Sequence, residues 1–161
     1  MGMKLPDHKV VLDFFGPWGW RLAHKARLIV WRITRPQRFG VFAVVFNHAG
    51  EVLLVENSYA KGWRLPGGGV EWGESVEESM ARELREEVQL EAKRMKLVNI
   101  HHVIWKGSSN QIIVFRIDGF TGEARADGNE ILRIMWASPD NLPPETEPGA
   151  AQQIALAVAA G

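Results

Sequence analysis

One stretch near the middle of the chain narrows the available folds more than any other. It is Trp63-Arg-Leu-Pro-Gly-Gly-Gly-Val70, followed a few residues later by Ser75 and the charged run Val76–Val88. Three consecutive glycines let a backbone turn sharply and lie close against its neighbours. Ser75 with Glu78 three residues on is a capping box, which starts a helix. Ala81, Leu84 and Val88 recur at intervals of three and four along it, so one face packs inward. Upstream, Gly40–Phe46 and Glu51–Val55 read as strands joined by the turn Asn47–Gly50 into a β-hairpin. Downstream, Leu97–Lys106, Gln111–Asp118 and Ile131–Ala137 read as strands, with turn signals across Gly119–Gly128. Asn141–Gly149 is a proline-rich loop, and the alanine-rich residues 150–160 read as a helix. Strands on both sides of one central helix predict a mixed α/β sandwich and not a doubly wound sheet.

One face of that helix carries Glu83, Glu86 and Glu87 at spacings of three and four, which places the three carboxylates side by side. Like charges so spaced each destabilise a helix by about 0.2–0.5 kcal/mol. Arg82 and Arg85 offset part of this. A hard, oxygen-seeking cation would relieve the rest, and such cations bind carboxylates together with substrate phosphates. Taken alone, the cluster fits a solvated helix face equally well.

The flanking residues supply the context. Gly68, Glu74, Arg82-Glu83-Leu84-Arg85-Glu86-Glu87-Val88 and Leu90 stand at the spacings G-x5-E-x7-R-E-U-x-E-E-x-G-U, where U is aliphatic. This resembles the Nudix box, and Trp63-Arg-Leu-Pro-Gly-Gly ahead of it is also typical of that family. One position departs: Gln89 stands where the family has glycine. The likeness continues more weakly from about Gly40 to Leu142 and does not cover residues 1–35. It implies an α/β/α sandwich with a mixed sheet, the box forming a loop–helix–loop. It implies Mg²⁺, with Mn²⁺ as a substitute, on Glu83, Glu86 and Glu87. Arg82 would hold those carboxylates in place, Gly67, Gly68 and Gly69 would bring backbone close to the site, and Glu74 would support helix and loop. Glu130, ahead of Trp136, resembles an acidic residue that serves some relatives as an extra ligand or base. Either Glu83 or Glu130 is then the base.

The activity implied is hydrolysis of a nucleoside diphosphate linked to another moiety. An RNA 5′-end pyrophosphohydrolase and a non-enzymatic nucleotide sensor are the alternatives. The proline that marks ADP-ribose hydrolases would fall at Lys106 and is absent, and no signature of NADH pyrophosphatases follows the box. Trp72, Trp105 and Phe115 are candidates to stack on a base, with core packing as the ordinary alternative. His101 and His102 alternate across a strand, so one of them can face substrate.

Ahead of the Nudix-like part, residues 39–161, lies an N-terminal segment, 1–38. It has eight Lys and Arg against two Asp, a net +6, and the formal charge of the whole chain is zero, which leaves −6 on the remainder. Residues 14–33 predict a helix with Trp18, Leu22, Ala26, Ile29 and Ile33 on one stripe. The stripe is expected to dock on protein, in the same chain or in a homodimer; an anionic membrane surface and nucleic acid are the other partners its charge would suit. Arg21, His24, Lys25 and Arg27 make Phe14–Trp31 a poor membrane span. The absence of cysteine fits a reducing compartment, so a cytoplasmic, soluble protein is expected.

Overall fold

Strand β1 (Arg38–Val45) is apolar on both faces: Val41, Ala43 and Val45 lie on one, Phe42 and Val44 on the other. Such a strand belongs in the middle of a sheet with a layer on each side. The structure, a computed structural model that describes residues 38–105 and 108–161, puts it there. The remaining strands are β2 (Val52–Asn57), β3 (Gly67–Gly69), β4 (Glu91–Trp105), β5 (Ser108–Thr121) and β6 (Ile131–Ala137). A four-stranded mixed sheet has the order β3-β1-β5-β4, in which β1 and β5 are parallel and the other neighbours antiparallel. β2 and β6 form a separate antiparallel pair.

The helices α1 (Val76–Val88) and α2 (Pro148–Ala159) cover opposite faces of the larger sheet. Met80, Leu84 and Val88 of α1 share a buried cluster with Val41, Ala43, Val45, Ile113 and Phe115. Ala150, Ile154 and Ala157 of α2 share a second cluster with Val44, Phe46 and Val114. Each large aliphatic side chain so buried contributes roughly 1.5–3 kcal/mol. This is the α/β/α sandwich that the sequence implies.

The expected hairpin between the first two strands needs correction. The turn forms, with Asn47 Oδ1 accepting from Ala49 N and Glu51 N at 2.9 and 3.0 Å. Beyond it the strands share one bridge, Phe46 with Val52, and part. Both edges of β1 are already taken by β3 and β5, so β2 pairs with β6, Leu53 opposite Trp136 and Val55 opposite Ile134. β4 also starts six residues earlier than expected, directly after α1. The expected helix over 14–33 and its stripe lie outside the described residues, as does the 1–38 segment apart from Arg38. Among the described residues no helix is long and apolar enough to cross a membrane.

Candidate active site

The box is assembled by its own side chains. Ser75 caps α1, its hydroxyl accepting from Glu78 N at 3.1 Å while Glu78 Oε2 accepts from Ser75 N at 2.9 Å; a cap of this kind contributes about 1 kcal/mol. Arg82 then ties the loop to the helix. Its Nε donates to Glu74 Oε1 at 2.9 Å, its Nη1 to Glu83 Oε1 at 2.8 Å and Glu86 Oε2 at 3.2 Å, and its Nη2 to Gly69 O at 3.0 Å. The Arg82 bond holds the Glu74 carboxyl below the ordinary carboxylate range.

The glycine strand β3 meets the carboxylates from the other side. Gly67 N donates to Glu87 Oε2 at 2.7 Å, and Ser79 Oγ donates to Gly69 O at 3.2 Å. A Cβ on Gly68 would lie 2.6 Å from Glu83 Oε1, and one on Gly67, whose φ is +142°, would collide with the carbonyl of Val41. Glycine at 67 is therefore a steric requirement of the pairing with β1, and a side chain at 68 would displace the Glu83 carboxylate from its place. Glu87 is 4% exposed. Burial, reinforced by the charges of Glu83 and Glu130, outweighs the Gly67 bond and pushes its carboxyl up to about 8. Burial likewise raises Glu83, with Arg82 opposing and Glu86 and Glu130 adding to the rise. Glu130 sits at the start of β6, where Ser58 N donates to its carbonyl at 2.8 Å. Asp127, which sequence reasoning missed, shapes that turn by accepting from Glu130 N and Ile131 N at 3.1 and 2.7 Å. A carboxyl-capped turn ahead of a strand was the signal available for it.

With Arg82 holding Glu83 and Glu86, no three acidic or histidine side chains among the described residues converge tightly enough to grip an ion as they stand. The residues nevertheless suit one. The donors are all hard carboxylate oxygens, the choice of Mg²⁺ and Mn²⁺ over softer metals. Glu87 is a buried acid with only a backbone N–H among the described residues to offset its charge, and Gly68 puts no side chain of its own against the Glu83 carboxylate.

α1 closes on Gln89, whose φ of 59° and ψ of 31° are left-handed. Gln89 is the one residue other than glycine with positive φ among those described. The helix therefore ends in the left-handed turn that a glycine here would also allow, with Leu90 N donating to Leu84 O at 3.0 Å.

On the sheet face away from α1 lies a cleft of about 540 Å³. The register builds its floor in rows: Arg38, Asn110 and Val103; Gly40, Ile112 and His101. α2 forms one wall through Ala150 and Gln153, and Asn57, Tyr59 and Arg64 form another. Gly67, Gly68 and Gly69 line it as well, so the glycine strand borders both the cleft and the carboxylates. His101 faces the cleft, while His102 bonds to Ser109 Oγ at 2.9 Å through Nε2. Phe115 is packed in the core beneath α1 and is not placed to stack on a ligand. Trp72 is fully exposed in the box loop, Trp136 stacks on Phe120 with centroids 6.0 Å apart, and the Trp105 side chain lies outside the described residues.

A capped carboxylate helix is thus laid against a glycine strand in an α/β/α sandwich. A family model described as NUDIX domain matches residues 36–157. A putative 8-oxo-dGTP diphosphatase of Bacillus subtilis is 34% identical over 115 residues, covering 71% of this chain and 76% of that protein. The NAD-capped RNA hydrolase NudC of Vibrio vulnificus is 28% identical over 71% of this chain but 44% of its own length. The crystal structure of a MutT NUDIX hydrolase from Burkholderia pseudomallei superposes with a TM-score of 0.69 at 27% identity, over 75% of this chain and 98% of that one. The chain therefore belongs to the Nudix family of hydrolases acting on phosphoanhydride bonds.

Proposed function

We propose that the chain is a Mg²⁺-dependent pyrophosphohydrolase that cleaves a nucleoside diphosphate linked to a further group. The observation that carries this reading is the double border of Gly67–Gly69, with Glu83 and Glu87 against it on one side and the cleft on the other. A diphosphate laid along that backbone reaches the carboxylates while its nucleoside extends into the cleft. Glu83, Glu86 and Glu87 would hold the ion, which when bound neutralises the diphosphate and eases deprotonation of water. Arg82 keeps Glu83 and Glu86 in register and Gly67 N steadies Glu87. Water attacks one phosphorus: its oxygen forms the new P–O bond, the anhydride P–O bond breaks, and the departing phosphate takes the electron pair. The water's proton passes to a carboxylate, Glu83 or Glu130.

The test is phosphate release from a panel of nucleoside triphosphates and diphosphate-linked nucleosides, with and without Mg²⁺. Glu86→Gln and Glu87→Gln keep shape but remove an anionic oxygen, and each is expected to lose at least about 100-fold in kcat/KM, as loss of a transition-state charge contact does. Retention of near-wild-type, Mg²⁺-dependent turnover by either variant would remove that residue from the site. Glu130→Gln decides the base: a large fall in kcat at unchanged Mg²⁺ requirement assigns it to Glu130, and unchanged kcat leaves it to Glu83. The relative that acts on NAD-capped RNA makes capped and 5′-triphosphorylated RNA the second substrate class to include in the panel.

A further inference from the structure

Of the glutamates Glu74, Glu83, Glu86, Glu87 and Glu130, all but the last are held by a donor described above. Arg82 bonds Glu74, Glu83 and Glu86, and Gly67 N bonds Glu87. Glu130 is exposed, and among the described residues it has no ion pair. A glutamate side chain left to itself spreads over its rotamers. Proton transfer needs the accepting atom within about 2.6–3.2 Å of its target.

The pairing of β2 with β6 brings one donor to Glu130. It carries a bulge: Glu56 lies opposite Arg133 but Asn57 opposite Ile131, so Leu132 is skipped. Bulges re-aim the side chains beside them. Just beyond it Ser58 N donates to Glu130 O at 2.8 Å, which sets Tyr59 beside Glu130. Tyr59 is 70% exposed, yet its hydroxyl is engaged: Oη accepts from Asn57 Nδ2 at 3.0 Å. Asn57 is 7% exposed, so the amide that holds the hydroxyl is itself fixed in the fold. A phenol has one proton to give, and a carboxylate can only accept. With Asn57 supplying the N–H, the proton of Tyr59 is left for Glu130. Desolvation, then the charge of Glu130 and the bond that the hydroxyl makes to it, push the Tyr59 hydroxyl up to about 12, with Glu87 adding and Arg64 opposing. Asn57 and Tyr59 also line the cleft, so this chain of contacts runs from the cleft wall to the acidic bank.

We propose that Tyr59, held by Asn57, is a positioning residue for Glu130: its hydroxyl donates to one carboxylate oxygen and keeps the other aimed at the attacking water. This rests on the hydrolase reading, with Glu130 as the group that takes the water's proton. That proton goes to the free carboxylate oxygen, and Tyr59 keeps its own.

Tyr59 is the only tyrosine of the chain, so protein labelled with ¹³Cζ-tyrosine gives a single tyrosine signal, read without metal or nucleotide. A phenol that donates to a carboxylate is more phenolate-like, so Glu130→Gln is expected to move that signal upfield. The kinetic arm uses ATP, GTP, CTP, UTP, NAD⁺ and UDP-glucose with Mg²⁺, and continues on whichever is cleaved fastest. Tyr59→Phe is expected to lower kcat about tenfold at unchanged KM, the scale of a hydrogen bond to a charged group. Once Glu130 is already Gln it should lower kcat no further, because the two residues act as a unit. Asn57→Leu should lower kcat in the same manner, and likewise only while Glu130 is present. Melting curves identify a variant that fails to fold, in which case the other decides. An unchanged kcat in Tyr59→Phe or Glu130→Gln, a fall of equal size in both backgrounds, or a tyrosine signal indifferent to Glu130→Gln overturns the proposal. Mg²⁺-dependent cleavage alongside any of these leaves the hydrolase reading standing. No cleavage of any of the six compounds, with a signal that does respond, sinks the hydrolase reading and leaves Tyr59 as the residue that orients Glu130.

Discussion

Gln89 holds a left-handed conformation that glycine adopts freely and glutamine does not. For a residue with a Cβ this costs about 1–2 kcal/mol, and the greater freedom of glycine in the unfolded chain returns about 0.4–1 kcal/mol of that. Gln89→Gly is therefore expected to raise the melting temperature by about 1–3 °C, given about 2–4 °C per kcal/mol for a chain of this size. A thermal denaturation scan checks it, and a fall would mean that the glutamine side chain makes a contact worth more than the strain. The family resemblance marked this residue as an exception. The conformation that makes it one became visible only with the backbone angles.

At the scale of elements, α1 and its loop depend on a charge arrangement that pH can dismantle. The folded Glu74 carboxyl lies below its ordinary 4.5, first through the Arg82 hydrogen bond. The sign follows: a depressed acid stabilises the fold above its unfolded pKa, and the contribution disappears as pH falls through the folded value. Glu74→Gln should melt below the wild type at pH 7, with the two curves converging as pH falls below 4.5 through the folded value. A gap unchanged at acid pH would show that Glu74 acts through shape and not charge. This element was legible in the sequence because its signals are local: a capping box, a stripe at helical spacing and carboxylates three and four apart. The strands of the sheet were legible for the same reason. The partner of β2 was not, since Leu53 and Trp136 are joined across most of the described chain and nothing local distinguishes a hairpin from two strands that diverge. The cleft was the least legible feature. Asn57, Asn110 and Gln153 carry no shared spacing, and they line one cleft only because the fold brings β2, β5 and α2 around it.

For the whole molecule, an ion held at the proposed carboxylate site would set stability as well as chemistry. Binding of an ion to the folded form alone stabilises it by about 2.7 kcal/mol at one hundred times Kd, which corresponds to a rise in Tm of about 5–10 °C. Mg²⁺ titrated into metal-free protein should produce such a rise in the wild type and little of it in Glu87→Gln, read by differential scanning fluorimetry. An equal rise in both would move the ion away from Glu87. The glycine strand β3 is the edge of the sheet and only one backbone thick, with an acidic bank on one side and an apolar, amide-studded basin on the other. A ligand served by both must sit astride it like a rider on a saddle. On the proposed reading, the sheet edge would work as a caliper: the span between the flat ring and the scissile phosphorus would have to match the width of a bare strand, so compounds would be sorted by the length of what joins those two ends before either end is read.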